Sequence, residues 1–201
     1  MRNLLLSLFL AVAGMTGQTL DLSATKTKLR PGEVTTVTFS LNGTTPTVAA
    51  LQWTEVVAPT LVLDKRILSP ALSVQKQLAC ATVTCVVFGL NQTLIPVGPV
   101  VTANLTVSST ATRGPATVTL SNVIGANSDG SQATLTAGAP LAITILDFAD
   151  LNGDGVIDAV DLLISVDQIL GRSPCGSADL DKDGVCTIKD AQILAFRATT
   201  P

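Results

Sequence analysis

The segments Asp150-Leu-Asn-Gly-Asp-Gly-Val-Ile-Asp-Ala-Val-Asp161 and Asp179-Leu-Asp-Lys-Asp-Gly-Val-Cys-Thr-Ile-Lys-Asp190 repeat one spacing of oxygen-bearing residues. Calcium, a hard cation, takes six to eight oxygen ligands, and a twelve-residue loop supplies them from positions 1, 3, 5, 7, 9 and 12. In the first loop these are Asp150, Asn152, Asp154, the carbonyl of Val156, Asp158 (through water) and Asp161. In the second they are Asp179, Asp181, Asp183, the carbonyl of Val185, Thr187 and Asp190. Gly155 and Gly184 fall at position 6, where the chain turns sharply and a residue without Cβ is least strained. The chemistry expected is calcium binding at two sites.

A helix must leave each loop to carry the position-12 ligand. The candidates are 159–170 and 188–198. Leu163, Val166 and Leu170 recur at three-and-four spacing, as do Ile188, Ala191 and Ala195 more weakly. That spacing marks the apolar stripe of an amphipathic helix, the side that ordinarily faces a core. No helical period precedes the first loop, because Leu141-Ala-Ile-Thr-Ile-Leu146 reads as a strand. Each unit is therefore a loop plus its exiting helix, ending in Asp where an EF-hand usually carries a bidentate Glu. Ile157 and Cys186 stand at position 8, where an apolar residue can face its counterpart in the paired loop.

This tandem of loop and helix, with Asp as last ligand, resembles the type I dockerin of cellulosomes over Asp147 to about Thr199. The resemblance implies a small α-helical calcium-binding module at 147–199 and a cohesin-type protein partner. Dockerins commonly read their cohesin with a Ser/Thr pair and basic residues on the helices. Here those positions hold Ala159-Val160, Ile188-Lys189, Val166-Asp167 and Ala195-Phe196, so the metal chemistry carries over and the recognition residues do not.

The four cysteines fall as Cys80/Cys85 and Cys175/Cys186. An even count in an exported chain reads as disulfides, with three connectivities open. Local pairing is the economical choice: one bridge would staple a hairpin, the other would clamp the approach to the second loop. A four-thiolate zinc site lacks any CxxC unit, and the chain has no His.

At the N-terminus, Arg2 precedes an apolar run from Leu4 to Ala13 and then small residues. Residues 1–17 read as a signal peptide, cleaved between Ala13 and Gln18, which places the protein outside the cell, secreted or surface-associated. The run is too short to span a bilayer, and no other segment approaches that length.

The remaining 19–146 show short alternating runs: Val37/Phe39/Leu41, Leu51/Trp53/Val57, Val101/Ala103/Leu105/Val107, Val118/Leu120 and Ala133/Leu135. Breaks at Asn42-Gly43, Arg113-Gly-Pro115 and Ser128-Asp-Gly130 separate them. Roughly nine strands are expected, enough for a mainly β, two-sheet sandwich. Apolar residues make up 47% of the chain but aromatics only 3%, so Val, Thr, Ala and Leu must fill the core. The segment resembles a cohesin, a jelly-roll-like β-sandwich related to carbohydrate-binding modules. The matching pieces are Leu29-Arg-Pro-Gly-Glu-Val34, Val48 to Trp53, Gly98 to Val107, Thr117 to Leu120 and Leu141 to Ile145. Thr54-Glu55 stands where cohesins often carry Tyr-Asp.

Composition narrows the function. The absence of His removes imidazole base catalysis and the Ser-His-Asp triad. The sandwich offers only Asp21, Glu33, Glu55, Asp64 and Asp129 as carboxylates, and no catalytic role is expected for the chain. Net charge is −3, concentrated at the C-terminus, where ten Asp face four Lys or Arg from Asp147 onward. No basic patch with interleaved aromatics suggests nucleic acid. Sugar binding would need exposed aromatic platforms. Trp53 lies in the apolar phase of its strand and is assigned to the core. The expectation is a secreted, non-catalytic assembly protein that docks calcium-dependently to a cohesin-type domain or to its own copies. A carbohydrate-binding accessory module for polysaccharide catabolism is the alternative.

Overall fold

The computed structural model describes residues 17–44 and 47–199. Apart from Gly17, the expected signal peptide lies outside them. The chain runs β1 (Gln18–Ala24), β2 (Lys28–Leu29), β3 (Val34–Asn42), β4 (Val48–Val57), β5 (Leu61–Leu68), α1 (Pro70–Ser73), β6 (Gln77–Ala81) and β7 (Thr84–Phe88). It continues with β8 (Gly98–Val107), β9 (Gly114–Asn127), β10 (Gln132–Ala133), β11 (Leu135–Ala137), β12 (Leu141–Ile145), α2 (Ala159–Ile169) and α3 (Ile188–Thr199). The additions to the nine expected strands are mainly pieces of two or three residues, too short to leave a period.

Two sheets face each other, in the orders β11-β1-β3-β8-β5 and β2-β12-β9-β4-β7-β6, with β10 beside β9. Pairing is antiparallel except for β1 with β11 and β12 with β2. Alternation decides which side chains enter the space between the sheets. Val37, Phe39 and Leu41 of β3, Leu51 and Trp53 of β4, and Val101, Ala103, Leu105 and Val107 of β8 are all buried, as their period predicts. Phe39 meets Trp53 across the sheets at 5.4 Å between ring centroids. Trp53 is fully buried and has no face to offer a sugar ring.

Glu55 shares the inward phase of Trp53, and its side chain is fully buried. Its Oε1 accepts from Trp53 Nε1 at 3.3 Å and from Arg66 Nε at 2.9 Å, and the Arg66 Nη2 atom closes the pair on Oε2. Arg66 reaches it because the pairing of β5 with β8 jumps from Asp64 to Ile67, a bulge that re-aims the intervening side chains. One buried ion pair thus ties the two sheets together. Cys80 and Cys85 are directly opposed on the β6–β7 hairpin and form a disulfide.

A second, smaller apolar cluster gathers Ala149, Leu151, Ala178, Cys186 and Leu194, with Ile157, Ile164 and Ile169 against it. It belongs to the loops and to α2 and α3. No helix among the described residues is long and apolar enough to cross a membrane.

Candidate metal centre

The first loop follows β12 directly, with no entering helix. Asp150 is buried and accepts from Gly153 N at 2.8 Å and Gly155 N at 2.9 Å. Asn152 Oδ1 accepts from Asp154 N at 2.9 Å, and Asp154 Oδ1 from Val156 N at 2.8 Å. Asp158 caps α2 by accepting from Val160 N. Asp161, fully buried on the first turn of α2, reaches back to accept from Asn152 N at 3.0 Å and Asp158 N at 2.8 Å. These bonds hold the loop backbone in successive turns, and α2 carries Asp161 on its first turn.

The second loop repeats this. Asp179 accepts from Asp183 N at 3.1 Å and Gly184 N at 2.9 Å, and Asp183 Oδ1 accepts from Val185 N at 2.9 Å. Fully buried Asp190 accepts from Leu180 N at 2.8 Å, Asp181 N at 3.2 Å and Thr187 N at 2.8 Å. Thr187 also accepts from Lys189 N at 3.3 Å at the start of α3. Gly155 and Gly184 adopt φ of +104° and +90°, the left-handed region that position 6 demands.

The donor set fits a hard divalent ion. Carboxylate oxygens of Asp179, Asp181 and Asp183 lie within 4.8 Å of one another. Two oxygens on opposite sides of one calcium, at about 2.4 Å each, stand about 4.8 Å apart. Each loop carries four Asp, since Asn152 in place of Asp181 is offset by Asp158 in place of Thr187. The bridge Cys175–Cys186 is formed and pins the second loop to the segment leading into it. The two loops share their backbone hydrogen bonding, the carboxylate triad is gathered in the second, and Val156 and Val185 place their side chains outward.

The helix faces depart from expectation. Leu163 is 65% exposed, Leu170 58% and Ile188 69%, and Ala195 is exposed too. The inward side of α2 is instead Asp161, Ile164, Ser165 and Ile169; on α3, Ala191 of the expected stripe is buried, beside Asp190 and Leu194. The reason is geometric: the carboxylates of Asp161 and Asp190 accept N–H groups of their own loops, and this fixes the rotation of each helix. Of the stronger apolar stripe, Leu163 and Leu170 are left to solvent and Val166 is half-buried.

Four contributors leave no mark in the sequence pattern. Gln168 Oε1 accepts from Gly176 N at 2.8 Å and Ala178 N at 3.2 Å, stitching α2 to the approach of the second loop. Lys189 pairs with Asp181 at 2.6 Å. Lys28 and Arg30, from the sandwich, reach the first loop. Sequence offers no signal for that contact, because more than a hundred residues intervene.

Burial by itself would push the Asp190 carboxyl up, but the N–H groups of Thr187, Asp181 and Leu180 and the Thr187 hydroxyl hold it below its ordinary value. A carboxyl depressed by folding contributes stability above the unfolded value near ~3.9 and loses it as pH falls through the folded one. In EDTA, helical circular dichroism is therefore expected to fall only below about pH 4. Loss already at about pH 6 would contradict this role of Asp190.

A family model of the dockerin type I domain matches residues 148–197. No curated protein matches the chain. Solved cohesin structures resemble its N-terminal part. The third ScaB cohesin of R. flavefaciens, in complex with a group 1 dockerin, is 18% identical with a TM-score of 0.53, covering 64% of this chain and 94% of that one. The sixth cohesin of scaffoldin B from Acetivibrio cellulolyticus, in complex with a Cel5 dockerin, is 15% identical with a TM-score of 0.52, covering 65% and 99%. A non-cellulosomal cohesin from the archaeon Archaeoglobus fulgidus is 13% identical with a TM-score of 0.50, covering 65% and 91%. The chain is thus mainly β, a cohesin-like sandwich followed by a helical region that matches the dockerin type I model.

Proposed function

We propose that this is a secreted, non-catalytic assembly protein. Two calcium ions, held by the ligand sets above, organise its C-terminal module, and the outer faces of α2 and α3 dock a cohesin-type domain. The setting is an extracellular polysaccharide-degrading or cell-surface complex. The observation that carries this reading is the outward apolar stripe. Val160 (48% exposed), Leu163, Leu170 and Ile188 stand in solvent, on the sides of α2 and α3 away from the small apolar cluster. Apolar groups exposed together mark interaction sites more often than they occur on unpartnered surface. The family match at 148–197 and the cohesin complexes among the structural relatives support the partner's class.

The partner domain extends to a second copy of this chain, whose sandwich exposes Val56, Phe88 and Ile124 on its larger sheet. Size-exclusion chromatography with added cohesin domains, with and without calcium, tests the reading. The expected result is a complex or oligomer in calcium and a monomer in chelator; a monomer in both, with no cohesin captured, overturns it. Leu163→Asp with Ile188→Asp is expected to weaken docking by at least about tenfold, or about 1.4 kcal/mol. Both sites are exposed, so stability should stay within about 0.5 kcal/mol. Undiminished docking would move the interface elsewhere.

A further inference from the structure

The two loops differ in what holds them from outside. The second is tied within the module, by the Cys175–Cys186 bridge and by Lys189 on Asp181. Its residues Asp179 and Lys182 line a cleft of about 1070 Å³ whose far wall includes Arg30, Pro31 and Arg113 of the sandwich. Among the described residues, no hydrogen bond or ion pair joins this loop to the sandwich.

The first loop is held by the sandwich. Strand β2 pairs with β12, and Leu146 N donates to Leu29 O at 2.8 Å, carrying the pairing to the last residue before the module. From that strand Lys28 Nζ donates to the Asp154 carbonyl at 3.1 Å. Next to it, Arg30 Nε donates to the Asp150 carbonyl at 2.5 Å. Arg30 is itself fixed: its Nη1 lies 3.3 Å from Glu33 Oε1, while Glu33 Oε2 accepts from Arg30 N and Lys26 Nζ, both at 2.9 Å. The two carbonyls belong to the residues at ligand positions 1 and 5. Pinning them fixes the backbone from which both carboxylates extend.

We propose that Lys28 and Arg30 are positioning residues of the first metal loop, and that an ion there fixes the module against the sandwich. The second loop loads without effect on that orientation. The inference rests on the calcium reading of the loops. Coupling between a bound ion and an orientation is reciprocal, so an ion that sets the loop also sets whatever the loop is anchored to.

Residual dipolar couplings of the full chain, measured with calcium alone as the ligand, test this. With both loops loaded, sandwich and module are expected to share one alignment. Asp154→Ala, and separately Lys28→Met with Arg30→Met, should each give two different alignments; Asp183→Ala should keep one. Unchanged Trp53 fluorescence checks that the sandwich stays folded, and Lys28→Arg with Arg30 retained should restore the shared alignment. If the Lys28→Met/Arg30→Met chain keeps one alignment, or Asp183→Ala splits it as Asp154→Ala does, the positioning role is refuted while the metal sites stand. Absence of calcium heat in calorimetry of the unsubstituted chain would instead remove the reading underneath.

Discussion

Arg66→Ala is expected to destabilise the sandwich by about 3–5 kcal/mol, more than any surface substitution in the molecule. The size follows from what is left behind. Glu55 has no exposed side-chain area, and its other donor is Trp53 Nε1 at 3.3 Å. Without the guanidinium, a buried carboxylate keeps one neutral hydrogen bond and no counter-charge. Exchanging both partners for apolar residues of similar volume, Glu55→Leu with Arg66→Met, leaves no charge to strand and should cost far less. Urea unfolding followed by the fluorescence of Trp53, the single Trp of the chain, reports this site directly. A single substitution no worse than the double one would show that the pair is not what joins the sheets at this point.

Asp190→Ala is expected to disable the second loop whether or not metal is present. Its carboxylate accepts from three backbone N–H groups and the Thr187 hydroxyl. Each buried donor left unsatisfied costs about 1–3 kcal/mol. The substitution also deletes the position-12 ligand. At free calcium about a hundredfold above the dissociation constant, the lost site forfeits a further 2.7 kcal/mol or so. Asp190→Asn retains an acceptor oxygen and should fall between the two. Thermal unfolding followed by helical circular dichroism, in calcium and in EDTA, measures both parts. Equal unfolding temperatures for Ala and wild type in EDTA would contradict the scaffolding role of this carboxylate.

The loop-and-helix shape was legible because its signals are local: a glycine at the sharp turn and a helix start lie within twelve consecutive residues. The sandwich core was legible for a similar reason, since period-two runs such as Val101 to Val107 sort inside from outside by themselves. The pairing of sequence-near cysteines was readable on economy alone, and both bridges form. Glu55 was not legible, because only a bulge on another strand, at Lys65 and Arg66, makes a charge tolerable at an inward position. The rotation of α2 was not legible, because hydrophobic spacing says where a stripe lies and not what it faces. There the bonds of Asp161 to Asn152 N and Asp158 N override the apolar residues. The reach of Lys28 and Arg30 to the first loop depends on the β2–β12 pairing, which no local pattern encodes.

Metal binding by the two loops is the property on which docking and module orientation both depend. Calcium titrated by calorimetry into the unsubstituted chain should show two sites, Asp154→Ala and Asp183→Ala one each, and the double variant none. Two sites surviving the double substitution, or no binding by the unsubstituted chain, would contradict it.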